Sequence, residues 1–187
     1  MSDQSVDALL RERGAILEGH FELSSGRHAD RFIEKFRILQ WPDITEAMCR
    51  DIAAAFAGQA NLVAGPTTGG VILAYETARQ LGTSCVVAEK REDGTAGREF
   101  RRGFEVTPED QVLVVDDVLT TGGPSEKRLM VVRERGATVA GVGVLVDRSG
   151  GSVDFGVPFF ACMEVNVASW DPADCALCRD GVTLVKT

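Results

Sequence analysis

Apolar residues between positions 44 and 148 alternate between two spacings. Ile44, Met48 and Ile52 recur at helical spacing, and the stretch from Val71 to Leu81 does the same, which predicts two amphipathic helices. Short continuous apolar runs follow the helices, and a run that is apolar at every position predicts a strand buried on both faces. These runs are Leu62–Gly65, Cys85–Ala88, Val112–Val115 and Val139–Val146.

Glycines mark where the predicted helices end. Gly58 and Gly82 follow the first two, and a third helix is expected from Gly123 to about Gly136. Strands separated by helices form βαβ units, so the sequence predicts an α/β fold with a central, mostly parallel sheet flanked by helices. We interpret residues 1–187 as one domain, in which about residues 1–43 form a small hood and the tail from about Phe155 flanks the core.

The composition is that of a globular protein with an acidic surplus. Of 187 residues, 44% are hydrophobic and 26% charged, and 20 basic against 28 acidic side chains leave a net charge of −8. Nucleic-acid binding depends on Lys and Arg, so the surplus of acidic side chains argues against a general nucleic-acid partner. Any site that binds an anion must therefore rely on groups close to that anion rather than on the charge of the whole protein. The first residues lack the pattern of a signal peptide, and no apolar run is long enough to span a membrane. We therefore predict a cytoplasmic protein with no membrane partner.

The five cysteines are scattered and odd in number, which argues against a disulfide framework. Cys175 and Cys178 have the CxxC spacing of half a zinc site or of a redox pair. Tetrahedral zinc requires four ligands, however, and the nearest histidine, His28, stands far upstream. We therefore expect this tail to be a packing motif, and we predict no metal held directly by the protein.

The segment after the third apolar run carries the strongest chemical signal. Asp116 and Asp117 follow Val112–Val115, and the Gly- and Thr-rich stretch Val118–Pro124 leads into a helix. Such a turn directs amide N–H groups and hydroxyls to one point at a helix N-terminus, which is a site for one phosphate group. No Lys follows the glycines and no GxGxxG is present, so this is neither a Walker loop nor a dinucleotide loop. The acids would bind sugar hydroxyls or offset developing positive charge; the alternative is a solvated pair before a helix.

Ligands of such sheets bind beyond the carboxyl ends of the strands. The loops that start at Pro66, Glu89, Asp116 and Asp147 should therefore share one crevice. The stretch from Glu89 to Gly103 mixes basic and acidic residues with glycines and has no periodicity, which predicts a mobile loop.

The segment Val112–Gly123 resembles the phosphoribosyl diphosphate (PRPP) signature of type I phosphoribosyltransferases, a hydrophobic strand, two acids, two hydrophobic residues and a Thr-rich loop. Pro124 departs from the family's usual small residue; it has no N–H to donate but suits the first turn of a helix. Gly65–Gly70 matches the family's pyrophosphate loop. The resemblance implies that PRPP is bound by Asp116, Asp117, Val118, Leu119, Thr120, Thr121, Gly122, Gly123, Pro124, Thr67 and Thr68.

Two further segments resemble the orotate phosphoribosyltransferases. Phe21–Ile33 is similar to their hood motif, and Val144–Gly151 is similar to their strand that ends in Asp-Arg. The resemblance implies that orotate is bound by Arg148, Thr120 and Phe32. An Arg guanidinium indeed offers a carboxylate a bidentate fork. The alternatives are a structural ion pair between Arg148 and Asp147 and a core position for Phe32.

The stretch 89–103 resembles the family's flexible catalytic loop, which acts in the partner subunit's site and brings cations to pyrophosphate. This implies a homodimer in which Lys90 is catalytic and Lys90 and Arg91 bind PRPP, although the family's Lys-rich run is reduced here and lacks its His. The implied reaction joins orotate to PRPP, with Mg²⁺ held mainly by PRPP oxygens. The alternatives are a phosphoribosyltransferase for another nucleobase and a PRPP-sensing regulator that keeps the fold.

Overall fold

The computed structural model describes residues 6–23, 25–120, 125–165 and 168–187. Its helices are α1 (Val6–Glu12), α2 (Lys35–Leu39), α3 (Pro42–Ala55), α4 (Gly69–Leu81), α5 (Ser125–Arg133) and α6 (Ala176–Arg179). Its strands are β1 (Ile16–Glu22), β2 (His28–Ile33), β3 (Leu62–Pro66), β4 (Ser84–Lys90), β5 (Arg98–Phe100), β6 (Gln111–Leu119), β7 (Thr138–Asp147), β8 (Phe159–Glu164), β9 (Ser169–Trp170) and β10 (Leu184–Lys186).

The predicted α/β fold is confirmed by a six-stranded sheet in the order β5-β4-β3-β6-β7-β8. All neighbouring strands are parallel except β5, which runs antiparallel along the edge of β4. Alternate residues of β6 enter two separate cores: Leu113 and Val115 pack with α3 and α4, and Val112 and Val114 pack with α5. Helices therefore cover both faces, which explains why the inner strands are apolar at every position.

The helix ends agree with the glycine signals at α4 and differ slightly at α3. Gly82 follows α4 in the left-handed conformation, with φ of 69°, and its N–H donates to the carbonyl of Ala78. At α3 the helix ends at Ala55, so Gly58, with φ of 72°, lies in the turn beyond it. No helix among the described residues is long and apolar enough to cross a membrane.

Both ends of the chain build a second, four-stranded sheet in the order β10-β1-β2-β9. The hairpin β1–β2 lies at its centre, β10 pairs in parallel with β1, and β9 pairs antiparallel with β2. We call this unit the hood sheet. The strands from the tail are short, two residues in β9 and three in β10. Ser24, which belongs to the hood motif, lies outside the described residues.

Two strands at the edges of the main sheet were not predicted from the sequence. Phe159–Glu164 lies within the tail expected to flank the core, yet as β8 it adds to the main sheet beside β7. Its residues are mostly half-buried. Phe159–Met163 is a further continuous apolar run, but no helix precedes it, so the βαβ pattern did not mark it as a strand. The predicted loop 89–103 is in part a hairpin, because Lys90 of β4 pairs with Arg98 of β5.

Candidate active site

Four neighbouring parallel strands end at one edge of the main sheet, as predicted. The last residues of β3, β4, β6 and β7 are Pro66, Lys90, Leu119 and Asp147. Pro66 is in register with Ala88 of β4, and Leu119 is in register with Asp147. The segments that follow these strands therefore border one crevice.

The two acids lie at the centre of this edge, inside β6 rather than after it. Asp116 and Asp117 are 4% and 6% exposed, so the alternative of a solvated pair is wrong. Oδ1 of Asp116 accepts a hydrogen bond from the N–H of Asp117 at 2.8 Å, and Oδ1 of Asp117 accepts one from the N–H of Val118 at 2.7 Å. These bonds orient both carboxylates before any ligand arrives.

Asp117 also has a partner that the sequence did not reveal. Nζ of Lys35, the first residue of α2, lies 2.9 Å from Oδ2 of Asp117. On the other side, a Cβ at Gly69 would lie 2.2 Å from the same oxygen, so only glycine leaves room for this carboxylate. The sequence carried no signal for this ion pair, because Lys35 and Asp117 lie far apart along the chain.

The turn after β3 is held by an arginine from the basic segment. Arg98 donates to the hydroxyl and carbonyl oxygens of Thr67, both at 3.1 Å, and to the carbonyl of Ala88 at 2.8 Å. The Thr67–Thr68 peptide bond is cis, and Thr68 precedes the first turn of α4. The structure thus places Thr67 and Thr68 at the crevice, and it gives Arg98 a positioning role in the same subunit.

The basic side chains of the segment 89–103 differ in how they are paired. Arg91 forms an ion pair with Glu134 at 3.1 Å, Arg101 with Glu92 at 2.9 Å, and Arg102 with Glu89. Lys90 is exposed at the end of β4 and has no ion pair within the described parts of the chain. Of the two predicted cations, Lys90 is therefore the one that a polyanion can engage without breaking an existing pair.

Arg148 lies beside the end of β6, where its backbone N–H donates a hydrogen bond to the carbonyl oxygen of Leu119 at 2.8 Å. Its Nε is buried and has no hydrogen-bond partner in the structure as described, and burial lowers the pKa of the guanidinium. The predicted alternative, an ion pair with Asp147, is wrong: Asp147 is buried and accepts from the N–H of Ser149 at 2.7 Å. Arginine remains protonated, so Arg148 is a partly desolvated cation that suits an anionic ligand.

The remaining predicted residues divide into three groups. Thr120 is exposed directly after β6, close to Arg148, whereas the side chain of Leu119 is buried in the core. Phe32 packs on Phe21 in the hood sheet, with ring centroids 5.8 Å apart, but it is only half-buried, so its contact with orotate stays a prediction. The last group lies outside the described residues and comprises Thr121, Gly122, Gly123 and Pro124.

Comparison with known proteins agrees with this fold and crevice. The model of the phosphoribosyl transferase domain matches residues 37–174, which defines the class of protein. The chain is 46% identical over 187 residues to an orotate phosphoribosyltransferase of Pelotomaculum thermopropionicum, covering 100% of this chain and 97% of that protein. It is also 46% identical over 181 residues to one of Carboxydothermus hydrogenoformans, covering 95% and 93%. The chain therefore belongs to the orotate phosphoribosyltransferase family.

A solved structure extends the likeness to three dimensions. The crystal structure of orotate phosphoribosyltransferase from Aeropyrum pernix matches with a TM-score of 0.72 at 28% sequence identity. The match covers 87% of this chain and 94% of that one.

Proposed function

We propose that this chain transfers the 5-phosphoribosyl group of PRPP to orotate, which gives orotidine 5′-monophosphate and pyrophosphate for pyrimidine synthesis. The observation that carries the proposal is the half-buried Arg148, whose buried Nε has no hydrogen-bond partner among the described residues, at the same strand edge as the buried acids of β6. A planar carboxylate such as that of orotate supplies the missing anion in bidentate form. Orotate and PRPP are the proposed partners, and the cytoplasmic location stays a prediction.

The acids fit the charge that develops in this reaction. A ring nitrogen of orotate forms a bond to the anomeric carbon while the bond from that carbon to the pyrophosphate oxygen breaks. The electron pair of the broken bond leaves with pyrophosphate, and the proton of the ring nitrogen passes to pyrophosphate or to water. The sugar resembles an oxocarbenium ion in the transition state. Asp116 and Asp117 would accept hydrogen bonds from the ribose hydroxyls and stabilise this positive charge, because buried, preoriented carboxylates need little reorganisation.

The anionic groups of PRPP are assigned to the turns around the acids. The segment Val118–Pro124 would hold the 5′-phosphate, Thr67 and Thr68 would contact pyrophosphate, and Lys90 would neutralise charge on the leaving group. Arg91 could join Lys90 only after it leaves Glu134. Loop closure over the crevice would exclude water, which would otherwise hydrolyse PRPP.

The crevice suits Mg²⁺ that is bound mainly by the substrate. Within the described residues, no group of three or more His, Cys, Asp or Glu side chains gathers at the crevice to form a complete metal site. The carboxylates of Asp116 and Asp117 are hard oxygen donors that could complete the shell of an ion held by PRPP oxygens. When bound, Mg²⁺ would stabilise negative charge on the leaving pyrophosphate.

The proposed base specificity is tested by offering the purified protein Mg-PRPP with orotate, adenine, guanine, xanthine or uracil in parallel. We expect pyrophosphate release with orotate and none above background with the other bases. Consumption of another base in place of orotate would support the alternative transferase. A gel shift showing sequence-specific RNA binding, with no base consumed, would support the regulator.

We also propose a homodimer, in which a second copy covers an apolar groove beside the crevice. The groove is mostly apolar and is lined by Leu39, Pro42, Thr45, Val71, Ile72, Tyr75 and Glu76. Ile72 and Tyr75 are 44% and 66% exposed on α4, the helix whose first residue, Gly69, adjoins Asp117. The proposal requires that a copy docked here brings its basic segment 89–103 to this subunit's site.

Tyr75→Asp is expected to shift the protein from dimer to monomer, because it places a charge in a buried apolar interface. Light scattering coupled to gel filtration measures the mass, and turnover should fall with the loss of the partner's loop. Met130→Asp is the matched control, since Met130 is a similarly exposed apolar residue on α5. A monomeric parent protein, or a dimer that tolerates Tyr75→Asp, would contradict this interface.

A further inference from the structure

Four metal-binding side chains meet in the hood sheet. His20 lies on β1, His28 begins β2, and Cys175 and Cys178 lie at the start and near the end of α6. One ligand atom from each lies within 4.8 Å of all the others, and this is the one such group in the described portion of the chain. It is separate from the crevice residues described above, and the proposed transferase reaction does not use it.

From this geometry we propose that the chain binds one structural Zn²⁺ between these four side chains. Zinc bonds of about 2.0–2.1 Å to nitrogen and 2.3 Å to sulfur, at tetrahedral angles, place the ligand atoms roughly 3.3–3.8 Å apart. Nε2 of His20 lies 3.0 Å from Nδ1 of His28, 3.4 Å from Sγ of Cys175 and 3.7 Å from Sγ of Cys178. Sγ of Cys178 lies 3.3 Å from Nδ1 of His28. Small shifts of these side chains would complete the tetrahedron.

A hydrogen bond to His20 and the burial of three of the four side chains favour metal binding. Nδ1 of His20 donates to the carbonyl oxygen of Val182 at 2.8 Å. This bond fixes the tautomer whose Nε2 lone pair faces the cluster, which is the usual arrangement of a metal-binding histidine. His20, His28 and Cys175 are buried, with at most 5% exposure. The site is thus largely shielded from water before the ion binds.

The charge and the donor types favour zinc. Binding releases the two thiol protons, and two thiolates balance the ion's double charge, so the buried site becomes neutral with both imidazoles uncharged. A tetrahedral set of two sulfurs and two nitrogens suits zinc or an iron–sulfur cluster. A two-iron cluster would bind the histidines on one iron and the cysteines on the other. Here each cysteine sulfur contacts a histidine nitrogen, which indicates a single shared ion.

All four coordination positions are filled by side chains, so the ion has a structural role rather than a catalytic one. It would join the N-terminal hairpin to the C-terminal tail. The tail contributes only the short strands β9 and β10 to the hood sheet, and such strands are weak on their own. The two histidines and the two cysteines lie far apart along the chain, but the hood sheet brings His20 within hydrogen-bond distance of Val182, close to the tail cysteines.

The test is the metal content of the purified full-length protein, measured by plasma mass spectrometry, together with its melting temperature. We expect about one zinc per chain. Cys178→Ala should lose the ion, and Cys178 suits this test because it is exposed on the short α6. Cys85→Ala is the matched control, since Cys85 lies on β4 outside the cluster, and it should keep the ion. Removal of zinc by a chelator should lower the melting temperature by on the order of 5 °C or more.

A second measurement does not depend on any variant. Metal-free, reduced protein titrated with Co²⁺ should develop the strong visible absorption of tetrahedral thiolate coordination, and one equivalent of Zn²⁺ should abolish it. The proposal is overturned if the reduced protein takes up neither ion. It is also overturned if Cys175 and Cys178 are found joined in a disulfide and reduction does not restore zinc binding, which would leave the redox-pair reading. Neither result bears on orotate turnover, so this test stands apart from that of the proposed function.

Discussion

Asp117→Asn is expected to lower kcat by roughly 10²–10³-fold while the chain stays folded. The amide oxygen can still accept the hydrogen bond from the N–H of Val118, so the local backbone is preserved. The negative charge is lost, however, and with it the stabilisation of the positively charged sugar in the transition state. Initial rates at saturating orotate and PRPP measure the effect, with circular dichroism to check the fold.

The ion pair with Lys35 offers a second explanation of such a loss, because the substitution leaves the ammonium group without its partner. The double variant Lys35→Met/Asp117→Asn separates the two. If the carboxylate acts on the reacting sugar, removal of Lys35 will not restore turnover. Full recovery in the double variant, or an unchanged rate in Asp117→Asn, would contradict the charge argument. Asp51→Asn, an exposed aspartate on α3, is the control for the loss of one acid.

Arg148→Met is expected to raise the KM for orotate on the order of 10²–10³-fold and to change the KM for PRPP much less. Methionine replaces much of the apolar stem but cannot bind a carboxylate. Because Nε of the parent arginine is buried without a hydrogen-bond partner among the described residues, removal of the guanidinium should leave the melting temperature unchanged or higher. Loss of binding together with constant or increased stability is the signature of a ligand-binding cation.

Arg148→Lys sharpens this prediction, since it keeps the charge and removes only the bidentate fork, and its KM for orotate should lie between those of the parent and Arg148→Met. Arg133→Met, an exposed arginine at the end of α5, is the matched control. Equal increases in both KM values, or a marked fall in the melting temperature of Arg148→Met, would show that Arg148 serves the fold rather than orotate.

Much of the fold followed from short-range patterns. The helix α4 with its Gly82 cap and the buried strand β6 agree with their predicted positions, because periodicity and glycine conformation act within a few residues. The edge strands β5 and β8 did not follow. β5 is largely polar and β8 is apolar but follows no helix, and each forms because a neighbouring strand offers free backbone groups.

The features of the site likewise fall into those that the sequence predicted and those that only the tertiary structure revealed. By itself the sequence determined the α/β class, the position of Arg148 directly after a strand, and the resemblance to a family that the comparisons bear out. The acid pair, expected after its strand, lies inside β6. Only the tertiary structure decided which side chains meet. Lys35 forms an ion pair with Asp117, and His20 and His28 lie beside the two tail cysteines. Periodicity reports local backbone conformation, whereas these contacts join residues far apart in the chain whose meeting depends on how whole strands pair.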